Sequence, residues 1–341
     1  MPRTRVRFAT CNLYNLNEPG LPIYTDRNGW SNGEYRRKLN WTTQAITSIQ
    51  ADVWAFQELW HADALENVFS AASILDEYTL LVPPDHAGQR IVCAGAVRSN
   101  ILVGEPEWID AFPEYFRLSS GGDDDQTADI AVQIDRFSRP VLHFEVKPRS
   151  NGKRIHVYVC HFKSKGPTRI YREPWYSRQV YSKHSEAIGA AISTVRRTAE
   201  ATALRLILTD RMKGTNTPVV VMGDLNDSQH SNTLNILTGQ PNYLLSGWSK
   251  GGSDVDLYSV GTLQEYRSQR DVYYTHVFNK TRESLDHILV SQEFYDNSRN
   301  RIWAFTGMEI ANDHLNADDH KENGSSDHGI VRATFEYRPA R

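Results

Sequence analysis

The alternation of apolar and polar positions sets the first expectations. Arg5-Val6-Arg7-Phe8 alternates as a half-exposed strand does, and a polar loop follows over residues 15–33. Tyr35, Leu39, Ile46 and Ile49 recur at intervals that share one helical face, Asp52 ends that stretch, and VWAFQEL reads as a buried strand. Leu65, Val68, Phe69, Ala72 and Leu75 form a second helical stripe over 63–75. Between 79 and 161 the pattern turns to β: YTLLV, IVCAGAV, DIAVQI, VLHFEV and IHVYVCHF are short, branched or aromatic, and separated by Gly, Pro, Asp and Ser. The acidic run GGDDD at 121–125 reads as a solvated turn, because it lacks the spaced ligands and closing glutamate of a Ca²⁺ loop. A long helix is predicted over roughly 184–212, followed by the strand VVVMG and a short helix near 234–237. A Gly/Ser-rich loop at 246–253 and strands around 287–290, 302–306 and 330–336 complete the chain. No internal period or Pro-rich linker divides it, so one domain over 1–341 is expected, an α/β fold with two sheets face to face and helices outside.

Composition adds limits. Hydrophobic residues are 40% and charged residues 23%, enough apolar side chain for a sizeable core. The net charge of −3 gives no global basic field, which leaves nucleic-acid binding to a local groove if it occurs at all. Cys11, Cys93 and Cys160 fall inside apolar strand-like runs without metal-ligand spacing, and read as small buried hydrophobes. Neither a signal-peptide pattern nor a run of membrane-spanning length is visible, so a cytoplasmic monomer without membrane attachment is the expectation, export by another route being left open.

Candidate chemistry gathers where apolar strands stop. VVVMG runs into Asp224-Leu225-Asn226-Asp227; on an extended backbone Asp224 and Asn226 would point the same way, a carboxylate and an amide able to hold a water in line. A plain turn is the competing reading, since Asp, Asn and Gly all favour turns. Asp286-His287 and Asp327-His328 each lead into a strand, so a carboxylate from one pair could orient the imidazole of the other. Glu58 ends VWAFQEL and suits a hard metal ion, which takes oxygen donors, or is simply a strand terminus meeting water. Asn12 and His161, closing RFATCN and HVYVCHF, are ambiguous one at a time.

The ordered set Asn12, Gln57-Glu58, His161, Gly223-Asp224-Leu225-Asn226, Asp286-His287 and Ser326-Asp327-His328 resembles the motif series of the endonuclease/exonuclease/phosphatase superfamily, the deoxyribonuclease-I-like fold. The likeness runs from Phe8 to Phe335; CHFKSKG, RPVL at 139–142 and YTHVFNKTRESLDHILVS look most like its bacterial nuclease-like branch. The resemblance implies a four-layer α/β/β/α sandwich of two mixed sheets and a metal-dependent phosphoesterase. It further implies Glu58 as principal Mg²⁺ or Mn²⁺ ligand, with Asn12 nearby and Asp327 completing the site. Asp224 would align or deprotonate the attacking water and Asn226 would position it. His328, polarised by Asp286, would stabilise negative charge on the phosphate, and His161 would contact the phosphate or assist the leaving oxygen. Two departures stand out: Tyr14 occupies a position that is acidic in some relatives, and the carboxylate that braces the central histidine has only Glu77 and Glu105 as candidates.

Substrate choice is expected to lie in residues 162–184. Lys163, Lys165, Arg169, Arg172, Arg178 and Lys183 face a single acid, Glu173, with Phe162, Tyr171, Trp175, Tyr176 and Tyr181 interleaved. Cations for a phosphodiester backbone and rings for bases point to a nuclease acting on DNA, with Lys163, Lys165, Arg169 and Arg172 as contacts. The competing readings are a phosphoesterase for a lipid or small molecule, sphingomyelinase-like or inositol-phosphatase-like, and a non-catalytic binding module.

Overall fold

The computed structural model describes residues 3–24, 29–122, 127–241, 252–268, 274–317 and 319–340. Along the chain, β1 (Arg5–Leu16), α1 (Asn32–Ile49), β2 (Val53–His61) and α2 (Ala62–Ala71) come first. They are followed by β3 (Tyr78–Leu81), β4 (Ala87–Arg98), β5 (Leu102–Ala111), β6 (Ser119–Ser120), β7 (Ile130–Ala131), β8 (Arg136–Val146) and β9 (Ile155–His161). Next stand α3 (Arg178–Tyr181), α4 (Ser185–Met212), β10 (Val219–Asp224), α5 (Asn232–Thr238), β11 (Tyr258–Ser259) and α6 (Val260–Glu265). The chain closes with β12 (His276–Phe278), β13 (Thr281–Glu283), β14 (Asp286–Val290), β15 (Trp303–Ala311), α7 (His320–Asn323) and β16 (Ile330–Tyr337).

Two six-stranded mixed sheets result, ordered β15-β16-β1-β2-β4-β3 and β11-β14-β10-β9-β8-β5. At the centre of the first, β1 runs parallel to β2; at the centre of the second, β10 runs parallel to β9. Every other pairing within the two sheets is antiparallel. Period-two alternation splits the side chains between layers. Val6, Phe8, Val220 and Met222 enter the core between the sheets, whereas Ala9 and Cys11 face the side covered by α1 and α2, and Val219 and Val221 the side of α4 and α5. The outcome is helices, sheet, sheet, helices, the four-layer arrangement expected. All three cysteines are buried in it. No helix among the described residues is long and apolar enough to cross a membrane.

Helix α1 starts where Ser31 and Glu34 form a reciprocal capping box and ends on Gln50 in the left-handed conformation. Its buried stripe differs from the predicted one: Tyr35, Lys38, Thr42 and Ile46 are buried, and Leu39 and Ile49 only partly. The stripe over 63–75 yields a shorter helix, Ala62–Ala71, and a separate 3-10 turn at Leu75–Glu77. DIAVQI joins neither six-stranded sheet. Only Ile130–Ala131 pairs, with Ser119–Ser120, and both members are exposed, so alternation there found no layer to pack on. Residues 123–125 of the acidic run and most of the 246–253 loop lie outside the described residues.

The outer face of the second sheet carries a polar chain. Glu107 contacts His143 Nδ1 at 2.6 Å, and His143 Nε2 meets His156 Nδ1 at 3.0 Å, both imidazoles being buried. Burial pushes His156 down to about 4, with Glu145 pulling the other way, and lowers His143 as well. A histidine kept neutral in the fold but ordinary when unfolded stabilises fully above about pH 6.5, and that stability is lost as pH falls towards 4. His156→Phe should therefore flatten the acid limb of a stability–pH curve by on the order of 1–2 kcal/mol. Urea unfolding at pH 7.5 and 4.5 measures it; a limb of unchanged steepness would show that other groups set acid stability.

Candidate active site

Parallel strands that lie side by side end at the same edge, and their antiparallel neighbours begin there. In the second sheet this puts His161, Asp224 and Asp286 in one row: Asp224 is the register partner of both His161 on β9 and Asp286 on β14. Across from it, Asn12 ends the regular part of β1 beside Gln57, and a bulge in β2 precedes Leu59. At that bulge Glu58 takes φ +60°, a conformation uncommon outside glycine and a common sign of a functional constraint. Gly223 is required by close approach: at φ +144°, a Cβ there would stand 2.0 Å from the Cys160 carbonyl oxygen.

The predicted residues converge. Asn12 Nδ2 donates to Asp224 Oδ2 at 3.2 Å, and its Oδ1 accepts from Tyr14 N at 2.9 Å. Glu58 Oε2 accepts from Asn15 N at 3.1 Å, and its Oε1 lies 3.9 Å from His161 Nε2. His161 Nε2 is 3.5 Å from Asp224 Oδ2, and His328 Nε2 approaches the same oxygen at 3.9 Å. Asp286 Oδ2 contacts His328 Nδ1 at 2.8 Å. Ser326 donates to the Asn12 carbonyl at 2.7 Å and accepts from His328 N at 3.1 Å, stapling the 325–328 turn to β1. His287 faces away, its Nε2 on the Asp227 carbonyl at 2.9 Å, as strand alternation requires.

Some details differ from expectation. Asn226 is not extended: it sits at φ +55°, its N–H on Asp224 Oδ1 at 2.9 Å and its amide on the Phe162 carbonyl at 3.0 Å. The turn that competed with the extended reading is the one formed, and it presents Asp224 rigidly. Neither Glu77 nor Glu105 braces His161; Glu77 pairs with Arg98 and Glu105 is exposed on β5. His161 Nδ1 is buried without a hydrogen-bond partner among the described residues. Lys163 Nζ is turned onto Gly166 O and Ser164 Oγ, both at 3.2 Å, and Lys165 Nζ onto Glu283 at 2.7 Å. Arg169 and Arg172 are exposed, as are Tyr171 and Trp175, whereas Phe162 belongs to the core.

Electrostatics follow from crowding. Burial, then the Asp327 charge, raises Glu58; burial raises Asp224 to about 7, with Asp286 and Glu58 adding and His328 opposing. Burial alone would lower His328, but Asp286 and Asp224 reverse it and hold the imidazole well above its ordinary value. For His161 burial prevails, and with the Arg139 charge adding to it the imidazole is lowered well below its ordinary value. The carboxylates fit a hard divalent cation: Glu58 and Asp327 offer oxygens, and Asp327 Oδ1 is buried without a hydrogen-bond partner among the described residues, whereas Asn12 turns its NH2 to Asp224 and its oxygen to Tyr14 N. His276, Asp327 and His328 also bring ligand atoms within 4.8 Å of one another, as do Asp224, Asp286 and His328.

Three nearby residues carry no clear signal of their own in the sequence. Arg139, inside RPVL, donates to the Phe162 carbonyl at 3.0 Å and acts electrostatically on Glu58 and His161. His276 lays its ring 4.8 Å from that of His328, with a backbone bridge between the two. Lys38 is buried beneath the 325–328 turn. Only the quoted motif segments hint at the first two.

The sequence profile described as the Endonuclease/Exonuclease/phosphatase family matches residues 9–328. No curated protein matches the sequence. Among solved structures, an endonuclease/exonuclease/phosphatase from Bacteroides vulgatus is 16% identical with a TM-score of 0.53, over 98% of this chain and 100% of that one. The human Nocturnin catalytic domain with bound sulfate is 16% identical with a TM-score of 0.56, over 98% of this chain and 96% of that one. The Bacteroides thetaiotaomicron mannosyl-6-phosphatase Bt3783 is 14% identical with a TM-score of 0.51, over 97% and 100% respectively. At such identities the likeness is one of fold.

The Asp286–His328 contact has a direct readout. Since Asp286 raises the His328 imidazole, Asp286→Asn should lower its pKa in the metal-free protein. Titration of the His328 ring by NMR measures the shift; an unmoved midpoint would assign the charge to another group.

Proposed function

Since the chain belongs to the endonuclease/exonuclease/phosphatase family, a family of phosphoester hydrolases, we propose that it is a divalent-metal-dependent phosphodiesterase that cleaves nucleic acid, DNA foremost. The observation that carries the hydrolytic part is the meeting of Asp224 with two histidines of opposite state: His328, held cationic by Asp286, and His161, kept neutral by burial. Glu58 and Asp327 would hold Mg²⁺ or Mn²⁺, which when bound neutralises charge gathering on the phosphoryl oxygens. Asp224, raised to about 7, is suited to orient a water and take its proton near neutral pH. The Asn226 turn fixes that carboxylate. His328 offers positive charge to a non-bridging oxygen before reaction begins, so no reorganisation is needed when charge develops. His161 contacts the phosphate or the leaving oxygen.

The nucleic-acid part rests on the exposed Arg169, Arg172, Tyr171 and Trp175 in the segment directly beyond His161. A second reading, a phosphatase or phosphodiesterase for a small or lipid phosphoester, draws support from Lys163 and Lys165, whose ammonium groups already have local partners.

EDTA should abolish hydrolysis, and Glu58→Gln should weaken metal dependence and rate together; full activity in EDTA would remove the metal mechanism. Asp224→Asn and His328→Ala are expected to lower turnover by about 10²–10⁴ with little change in melting temperature. If either variant unfolds while its folded fraction keeps normal turnover, the residue serves the fold instead.

Neutralising Lys165, Arg169 and Arg172 together should weaken DNA binding and reduce its salt slope by about one for each phosphate that is no longer neutralised. Hydrolysis of bis-p-nitrophenyl phosphate should change far less. No effect on either substrate would move the small-phosphoester reading ahead.

A further inference from the structure

Lys38 is fully buried, in the middle of the apolar face of α1. Its ammonium is enclosed by the rings of Tyr14, Trp41 and Trp30, at 5.4, 5.5 and 5.8 Å from their centroids, and donates to the Ser325 carbonyl at 3.1 Å. The walls of this box belong to the candidate site. Tyr14 follows Asn12 by two residues and donates its N–H to the Asn12 side chain; Trp30 donates to the Asn15 carbonyl at 2.7 Å. Its lid is the turn that delivers Asp327 and His328. Gly324, at φ +83°, lies so close on α1 that a Cβ would stand 2.4 Å from Lys38 N, and Ser325 Oγ is tied to His320 at 2.8 Å.

Space filling does not account for a lysine here. Methionine or leucine would fill the same volume without desolvating a charge, which is costly unless it is compensated. The compensation is specific: ring faces attract a cation, and a carbonyl accepts its hydrogen bond. Burial pushes the amine down to about 8 against the pull of the acidic groups around it, Asp327 and Glu58 among them, so it remains a cation at neutral pH. An apolar residue would leave the Ser325 carbonyl without this donor, and α1 would lose its side-chain hold on that carbonyl.

We propose that Lys38 is a positioning residue of the hydrolytic site: its boxed ammonium fixes the Ser325 carbonyl and thereby sets Asp327 and His328. Its part in hydrolysis rests on the function proposed above; its hold on the turn does not. In metal-free Lys38→Met, backbone amides of Ser325 and His328 should exchange hydrogen about tenfold faster, with the central strands unchanged. Mn²⁺, titrated by calorimetry, should bind about tenfold more weakly, because Asp327 is no longer preset. Turnover of bis-p-nitrophenyl phosphate should fall by roughly 10–100-fold, with KM within about threefold.

Unchanged exchange at the turn, or tighter Mn²⁺ binding with normal turnover, would overturn the proposal and leave Lys38 as a mere repelling charge. Should Lys38→Met fail to fold, Lys38→Ala is assayed with propylammonium and with propanol. Recovery of Mn²⁺ binding by the amine alone supports the proposal, and equal recovery by both, or by neither, overturns it. If the wild-type protein hydrolyses no phosphoester, the proposed function fails, while exchange at the turn still decides the role of Lys38.

Discussion

Two parallel strand pairs, β1 with β2 and β9 with β10, stand at the centres of the two sheets, and where they end the site begins. A parallel pair has both C-termini at one edge, and the antiparallel neighbours β14 and β16 start from that same edge. Six segments far apart in sequence thus release side chains into one small volume. The precision comes from beneath. Phe8, Phe294 and Phe335 meet edge to face with centroids 5.0–6.2 Å apart, clamping the sheets together behind the site. Loops could vary around such an edge, but these strand ends cannot shift without disturbing the core.

Convergence creates an electrostatic problem that shapes everything near it. Glu58, Asp224, Asp286 and Asp327 crowd together, and Glu58 and Asp224 are raised by burial and by their acidic neighbours. The chain answers with cations that approach from different directions. His328 contacts Asp286 directly, Arg139 acts on Glu58 from β8, and Lys38 stands beneath the 325–328 turn on α1. None of these cations neutralises the Glu58–Asp327 pair by direct contact among the described residues, and that is the side on which oxygen donors gather. A divalent ion there would relieve the repulsion that folding imposes, so metal affinity and the strain of the metal-free site are two sides of one arrangement.

Much of this is legible in the sequence. Strands such as VVVMG are wholly apolar because both faces are covered, and an abrupt Gly-Asp after such a run marks the strand end where the apolar core gives way to the polar cluster. The pairing of Asp286 with His328 follows from two Asp-His steps, each leading into a strand. What fails, fails for physical reasons. DIAVQI alternates correctly but is bordered by polar turns, and alternation specifies a strand only when a layer waits to cover it. Lys38 escapes such a reading because helical spacing is traced through apolar residues, and a boxed ammonium counts as polar in any such pattern. Arg139, His276 and the exclusion of Glu77 and Glu105 depend on contacts across the fold, which spacing along one chain does not encode.

Substrate selection follows a different logic from hydrolysis. The hydrolytic groups stand on strand ends, while the segment beyond His161 and the β12–β13 hairpin form their surroundings. Lys165 joins these two surfaces through Glu283 at 2.7 Å and lies 3.8 Å from Asp227, next to the turn that carries Asn226. An exposed ion pair of this kind contributes little stability, so its value lies in fixing where the two surfaces stand relative to each other. Phe278 projects from the hairpin, and Tyr171 and Trp175 project from the segment, all three substantially exposed. On the nucleic-acid reading proposed above, these rings are where bases beyond the scissile phosphate would stack, outside the strand-end cluster. That reading would divide the labour, with the extent of the ligand set by the loops and the bond that is broken set by the sheets.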